Sequence, residues 1–339
     1  MKIYRVPIPN ISIKDFALVA RSGRVHLRIS EYGERSIQRG EEAVKSILRD
    51  RKVVYGVNTG IGDLCDVILP RKDIFKLQEN IIASHACGSA PYFEPETARG
   101  ALFLTINSLA KGFSGMTLAT IKKLIALFNA DILPLLPKQG SLGASGDLIP
   151  LAHLGLLLLG RGSAHYRGKI KSAANIFHEL RISPAIFQPK EALALINGTQ
   201  VTASQAALVA GGAKNLLRSS FGATALLFEL AGASKKCLDP DIHSLKPHYG
   251  QKVVAGILRR LLYSSRLCGR PDKKVQQAYV IRCAPQIDGA IFETIINSGK
   301  VAETELNSVS DNPLFFSKSG RFKAVSGGNF HAQAIAFSL

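Results

Sequence analysis

The sequence predicts a mainly α-helical protein with a small mixed α/β region at its N-terminus, and three observations carry that reading. Apolar residues recur at helical spacing through most of the chain after residue 70. A long run from Val201 to Ala231 is rich in Ala and Leu with little charge. The β-prone runs are short and confined to the first 65 residues.

Taken in order, KIYRV (2–6), RVHLRIS (24–30) and KVVYGV (52–57) hold β-branched or aromatic residues between turn signals, and each is expected as a strand. RKDIFKLQENIIASHACG (71–88) places Ile74, Leu77, Ile81 and His85 on one helical stripe, with Gly88 as the stop. From Met116 to Leu133 the stripe is Ile121, Leu124, Ile125, Phe128 and Ile132, and Pro134 and Pro137 end it. Leu148 to Leu159 reads as a buried helix interrupted by Pro150 and His153. It is short of the roughly 20 residues that cross a bilayer, so no membrane partner is expected. The run from Val201 to Ala231 suits a helix surrounded by helices. FHAQAIAFSL (330–339) is helix-like and apolar, without a capping Gly or Asn, so further residues or another chain are expected to cover it. The expected organisation is a mixed domain over 1–110 and a helical body over 111–339, incomplete at its C-terminus.

At 339 residues and 46% hydrophobic content the chain can bury a large core. Its net charge of +18 raises nucleic-acid binding, but the basic groups RGKIK (167–171), KK (235–236), RR (259–260) and PDKK (271–274) are scattered and no recognisable nucleic-acid module is present. No nucleic-acid partner is expected. Cys65, Cys87, Cys237, Cys268 and Cys283 form an odd set without a CxxC pair, which excludes a disulfide framework and a structural zinc site from the expectations; no metal is expected. MKIYRVPIPNISIKDF lacks an apolar stretch of signal-peptide length, and the cytoplasm is the expected compartment.

Two glycine-rich loops remain, YGVNTGIGD (55–63) and GSLGASGD (140–147). Neither ends in the Lys-Ser/Thr of a P-loop, and Gly140, Gly143 and Gly146 do not give the G-x-G-x-x-G order. Around Ser145 the nucleophile-elbow pattern has Gly143 in place but Asp147 at its last position. A flexible turn before a helix capped by Asp147 is one reading. Another is chemical. If the Gly146 nitrogen attacks the Ala144 carbonyl carbon, a five-membered ring closes through Ser145, and loss of water, including the Ser145 hydroxyl, leaves an exocyclic methylidene. Such closure needs a compressed loop, which glycine tolerates.

GSLGASGDLIPLAH (140–153) strongly resembles the signature of the aromatic amino acid lyases, and the resemblance extends through YGVNTGIG, LQENIIASHACG, NSLAKGFSG, PKEALALINGTQ, VQQAYVIRCAPQ, ELNSVSDNPL and SGGNFHA, in order. It implies the family's long-helix superhelical fold and a methylidene-imidazolone (MIO) prosthetic group made from Ala144, Ser145 and Gly146, followed by Asp147. The Ser84-His85 pair is most similar to the histidine-specific members, so the implied reaction removes ammonia from L-histidine to give trans-urocanate. A tyrosine or phenylalanine ammonia-lyase, an aminomutase, or an inactive member acting as a binding scaffold are the alternatives.

By the same resemblance Tyr55 is the base, a role that requires donors or positive charge favouring its phenolate. Arg282 grips the substrate carboxylate with its planar fork. Asn197, Gln276 and Tyr279 line the MIO and substrate, His85 contacts the substrate, Phe330 lies beside the MIO, and His153 is structural. Gln277, Val280, Gln333 and Ala334 stand where the family commonly has an acid, a serine, an acid and a proline. Family members are homotetramers whose sites combine three subunits, and their chains continue past this end. A homotetramer or a complementing C-terminal chain is therefore expected.

Overall fold

The computed structural model describes residues 2–269, 275–318 and 321–338, so the basic group PDKK at 271–274 lies outside the described residues. Helices dominate, as expected, and the strands are short.

Strand β1 (Lys2–Val6), helix α1 (Ile13–Arg21) and strand β2 (Val25–Ile29) form a crossover unit. The two strands pair in parallel, Lys2 opposite Val25 and Val6 opposite Ile29. A parallel pair needs a connection that returns over the sheet, and α1 supplies it. Its Ser12 cap accepts from the Asp15 amide, and Phe16, Val19 and Ala20 face inward. Helix α2 (Glu31–Arg49) is capped by Ser30 and buries Ile37, Ala43, Val44 and Ile47 at helical spacing.

The third expected strand, KVVYGV, is a turn. Asn58 captures the backbone that a strand would need: its Oδ1 accepts from the Val54 amide at 2.9 Å, and its Nδ2 donates to the Lys52 carbonyl at 2.8 Å. Gly56, at φ +66°, completes the reversal, and a Cβ there would stand 2.3 Å from Leu193 Cδ2.

Helices α3 (Arg71–His85), α4 (Pro95–Leu109) and α5 (Leu118–Asn129) follow. The rings of Phe16, Phe103 and Phe128 pack in a tilted series, with centroids 6.4 and 6.3 Å apart, tying α1, α4 and α5 into one core. Strand β3 (Leu133–Pro134) precedes α6 (Leu148–Leu158), in which Pro150 sits in the first turn, where it is tolerated. Strands β4 (Ser163–Tyr166) and β5 (Lys169–Ser172) complete an antiparallel sheet in the order β3-β4-β5. Helices α7 (Ala173–Leu180), α8 (Glu191–Ile196) and the 31-residue α9 (Gln200–Leu230) come next.

The compact units do not divide at residue 110. One comprises the chain up to Ala207 with Glu303–Phe337, the other Leu208–Ala302 with Ser338. The aromatic series explains this, because it joins residues on both sides of the expected boundary within one core.

The second unit contains α10 (Pro240–Leu245), α11 (Tyr249–Leu261), α12 (Tyr279–Arg282) and most of α13 (Ala284–Leu306), around a core of Phe221, Phe228, Leu238, Val254 and Leu258. Within the first unit, β6 (Leu314–Lys318) and β7 (Arg321–Val325) form a hairpin with Phe315 opposite Ala324, and Phe315 packs with Ala43, Val44 and Ile47 of α2. Helix α14 (Gln333–Ser338) ends the described chain, with Phe337 exposed. Among the described residues no helix is long and apolar enough to cross a membrane, and no group of three His, Cys, Asp or Glu residues could hold a metal ion. All five cysteines are free thiols.

Candidate active site around residues 144 to 146

Asp147 occupies the residue before α6, but its side chain does not cap that helix. It turns to the start of α9 instead. Oδ1 accepts from Thr202 Oγ1 at 2.6 Å and from Ser141 Oγ at 2.8 Å, and Oδ2 accepts from the Thr202 amide at 2.8 Å. The positive end of a long helix favours a carboxylate placed there. Burial pushes the Asp147 carboxyl above the usual carboxylate range, while the Thr202 and Ser141 hydrogen bonds oppose that rise.

The backbone of this loop is pinned as well. The Asp147 amide donates to the Gly198 carbonyl at 2.7 Å, and the Gly143 carbonyl accepts from the Ala332 amide at 2.9 Å. Between these anchors Ala144 and Ser145 are exposed and Gly146 is buried. Gly146 has φ +79°, and a Cβ on it would lie 2.7 Å from both the nitrogen and the oxygen of Gly198. No other residue fits that position without displacing backbone.

Asn197 follows α8 directly and is buried. Its Nδ2 donates to the Ser145 carbonyl oxygen at 2.7 Å. Glu305 enters from the end of α13 and accepts from Thr199 Oγ1. Burial raises the Glu305 carboxyl, the Thr199 hydrogen bond opposes the rise, and the Asp147 charge adds to it.

The structure thus brings Ala144, Ser145, Gly146, Asp147 and Asn197 together. Among the described residues, the other expected residues of this unit make no hydrogen bond to that cluster. The half-buried Tyr55 accepts at its hydroxyl from the Gly62 amide at 3.4 Å. His85 ends α3 with Nδ1 donating to the Ile81 carbonyl at 2.8 Å and 3.2 Å from Ser84 Oγ, which leaves Nε2 as the acceptor of the neutral ring. Phe330 is half-buried in the turn before α14, and Gln333 and Ala334 open that helix. His153 lies on α6, where burial lowers its basicity.

Gln276, Tyr279 and Arg282 belong to the other unit. Gln276 and Tyr279 are exposed, as is Val280. The Arg282 guanidinium lies 4.3 Å from the Tyr279 ring centroid, and its Nε donates to the Gln277 carbonyl at 3.0 Å. Those two contacts orient the planar fork, and among the described residues no ion pair engages it.

Sequence reasoning did not single out Ser141, Gly198, Thr202 or Glu305. The signal for Ser141 was its place in the same glycine-rich loop, and for Thr202 a hydroxyl at a helix start. Glu305 opens the ELNSVSDNPL block, but nothing there marked its partner Thr199, 106 positions away.

The residues fit ring closure from Ala144 to Gly146. The loop is held at both ends, the nucleophilic nitrogen belongs to the residue that only glycine can be, and the carbonyl that would join the ring already has a donor. The Aromatic amino acid lyase family model matches residues 11–339. A histidine ammonia-lyase of Deinococcus radiodurans is 40% identical over 333 residues, covering 97% of this chain and 63% of that protein. The human histidine ammonia-lyase is 39% identical, covering 94% of this chain and 49% of its own length. Among solved structures, Pantoea agglomerans phenylalanine aminomutase superposes with a TM-score of 0.91 at 31% identity, covering all of this chain and 68% of that one. Trypanosoma cruzi histidine ammonia-lyase gives 0.87 at 35% identity, covering all of this chain and 63% of that one. The chain therefore spans about two thirds or less of these relatives.

Proposed function

The chain belongs to the aromatic amino acid lyase family, and from that premise we propose that it forms MIO from Ala144, Ser145 and Gly146 and eliminates ammonia from L-histidine to give trans-urocanate. The observation that carries this reading is the clamped loop, with Gly146 at φ +79° and the Ser145 carbonyl capped by Asn197 at 2.7 Å.

The chemical difficulty is that the β-proton of histidine is hardly acidic and amine is a poor leaving group. When formed, MIO supplies the electrophile that makes the amine able to leave. The remaining tasks fall to side chains. Arg282 binds the substrate carboxylate through its fork, oriented by the Tyr279 ring and the Gln277 carbonyl. Tyr55 Oη takes the proton from the substrate β-carbon, and its hydroxyl accepts from the Gly62 amide at 3.4 Å. His85 presents Nε2 to the imidazole, and Gln276 and Phe330 line the substrate. Asn197 draws electron density from the Ser145 carbonyl, and Asp147 holds the loop start against α9. We place these residues in a homotetrameric site of a cytoplasmic protein, or in one completed by a complementing C-terminal chain.

A second reading, an aminomutase or an ammonia-lyase for tyrosine or phenylalanine, draws on the likeness to phenylalanine aminomutase. Incubation with L-histidine, L-tyrosine and L-phenylalanine, followed by ultraviolet absorbance and product mass, separates the readings by whether urocanate, a cinnamate-type acid or a β-amino acid accumulates. Intact mass supplies the earlier check. Ring closure removes two waters, and mature protein that retains both would leave a binding scaffold as the better description.

A further inference from the structure

Helix α8 has six residues, too few to persist alone in water, yet it delivers Asn197 to the Ser145 carbonyl. Its position must be set from outside. Two consecutive residues, more than a hundred positions further along the chain, meet it at opposite ends. Before its first residue, Lys190 Nζ donates to both carboxylate oxygens of Asp311, at 2.9 and 2.8 Å. After its last, Ser310 Oγ accepts from the Thr199 amide at 3.2 Å and from Gln200 Nε2 at 3.3 Å. The Ser310 carbonyl also closes on Gly198, where a Cβ would lie 2.6 Å from it.

Two features of Lys190 single out this contact. Its side chain and that of Asp311 are 0% and 2% exposed, a deep burial for two charges. Such pairs are weak devices for stability, because apolar residues of similar volume often serve as well, but one charge held against one charge fixes register. Lys190 also stands at φ +81°, in the left-handed region that a side chain occupies only when its surroundings impose it. Asp311 is fixed in turn, since its Oδ1 accepts from the Asn312 amide at 2.6 Å.

We propose that Lys190 and Asp311 are a positioning pair which, with Ser310, brackets α8 and sets Asn197 against the Ser145 carbonyl, and so governs the rate of ring closure at residues 144 to 146. The proposal rests on the ring-closing reading above and names a part of its machinery.

The test uses the full chain carrying Lys190→Met with Asp311→Asn, which leaves no unpaired charge. The double variant is expected to fold with a melting midpoint close to wild type, to lose its two waters about tenfold more slowly or worse by intact mass after refolding, and to exchange the amides of residues 191–199 about tenfold faster while α4 is unchanged. A folded double variant that closes the ring at the wild-type rate overturns the proposal, whatever its exchange shows. If the double variant does not fold, Lys190→Gln keeps one donor to Asp311 and is expected to slow closure; closure at the wild-type rate again overturns the pair's role. If wild type itself retains both waters, the ring-closing reading fails separately, and equal protection of residues 191–199 in wild type and variant then overturns the bracket.

Discussion

The side-chain amide of Asn197 donates to the carbonyl oxygen of Ser145 at 2.7 Å, across 52 positions of sequence. On ring closure that carbonyl becomes conjugated with the new methylidene, so a donor there withdraws electrons from the carbon that must be attacked. Asn197→Ala is expected to lower turnover of L-histidine by about 10²- to 10³-fold, the usual consequence of losing one preorganised donor. Initial rates from product absorbance check this, and a loss smaller than about threefold would remove the amide from the mechanism.

Gly146→Ala tests the loop itself. The new Cβ would meet Gly198 backbone at 2.7 Å in a conformation with φ +79°, so both steric room and backbone preference are lost. The variant is expected to keep both waters in its intact mass and to lose about 1–3 kcal/mol of stability in urea unfolding. A cyclised variant would show that the loop relaxes more freely than its contacts imply.

Glu191 is fully buried and accepts four hydrogen bonds: from the Thr117 amide and hydroxyl at 2.9 and 2.7 Å, Thr120 Oγ1 at 3.0 Å and the Gln188 amide at 2.7 Å. Burial pushes its carboxyl above the usual range while these donors oppose the rise. Glu191→Leu strands all four donors and is expected to cost about 3–5 kcal/mol, with Glu191→Gln costing less. Chemical unfolding of the two variants, run side by side, gives the ordering; equal losses would contradict it.

His243 makes a pH prediction for the second unit. Its Nε2 donates to the Cys237 carbonyl at 3.1 Å and its Nδ1 accepts from Gln251 Nε2 at 3.0 Å, an arrangement that only the neutral ring can make. Burial lowers its basicity below the ordinary value of 6.5. The unfolded chain therefore binds a proton that the folded one refuses, and stability falls as pH drops through 6.5 toward the folded value. The slope from this group is at most about 1.4 kcal/mol per pH unit. His243→Gln should flatten the decline in melting midpoint between neutral and mildly acidic pH, and an unchanged slope would assign the proton elsewhere.

Much of the helical frame was legible because its periodicity is local. The stripes through Ile74 and Ile81 and through Leu124 and Phe128 became α3 and α5, and the Ala- and Leu-rich, sparsely charged run after Val201 became α9. KVVYGV was misleading because Asn58, just beyond it, takes the backbone hydrogen bonds. The boundary expected at residue 110 rested on composition, whereas compactness follows the ring contacts among Phe16, Phe103 and Phe128. In the candidate site the tripeptide was readable from its small residues and its motif. A helix cap was one reading of Asp147, beside its place next to the tripeptide, and its partners Ser141 and Thr202 depend on how the loop folds across to α9. The bond between Lys190 and Asp311 spans 121 positions, beyond any local pattern.

The pinning of Asp147 to Thr202 and Gly198 has a temporal meaning. Residues 144 to 146 are held at Asp147 only after segments some fifty positions apart have met, so, on the ring-closing reading proposed above, a nascent or denatured chain lacks the means to cyclise. The missing waters would then be a covalent record, legible in a mass spectrum, that a given molecule had once reached its native arrangement, and later denaturation would not erase it.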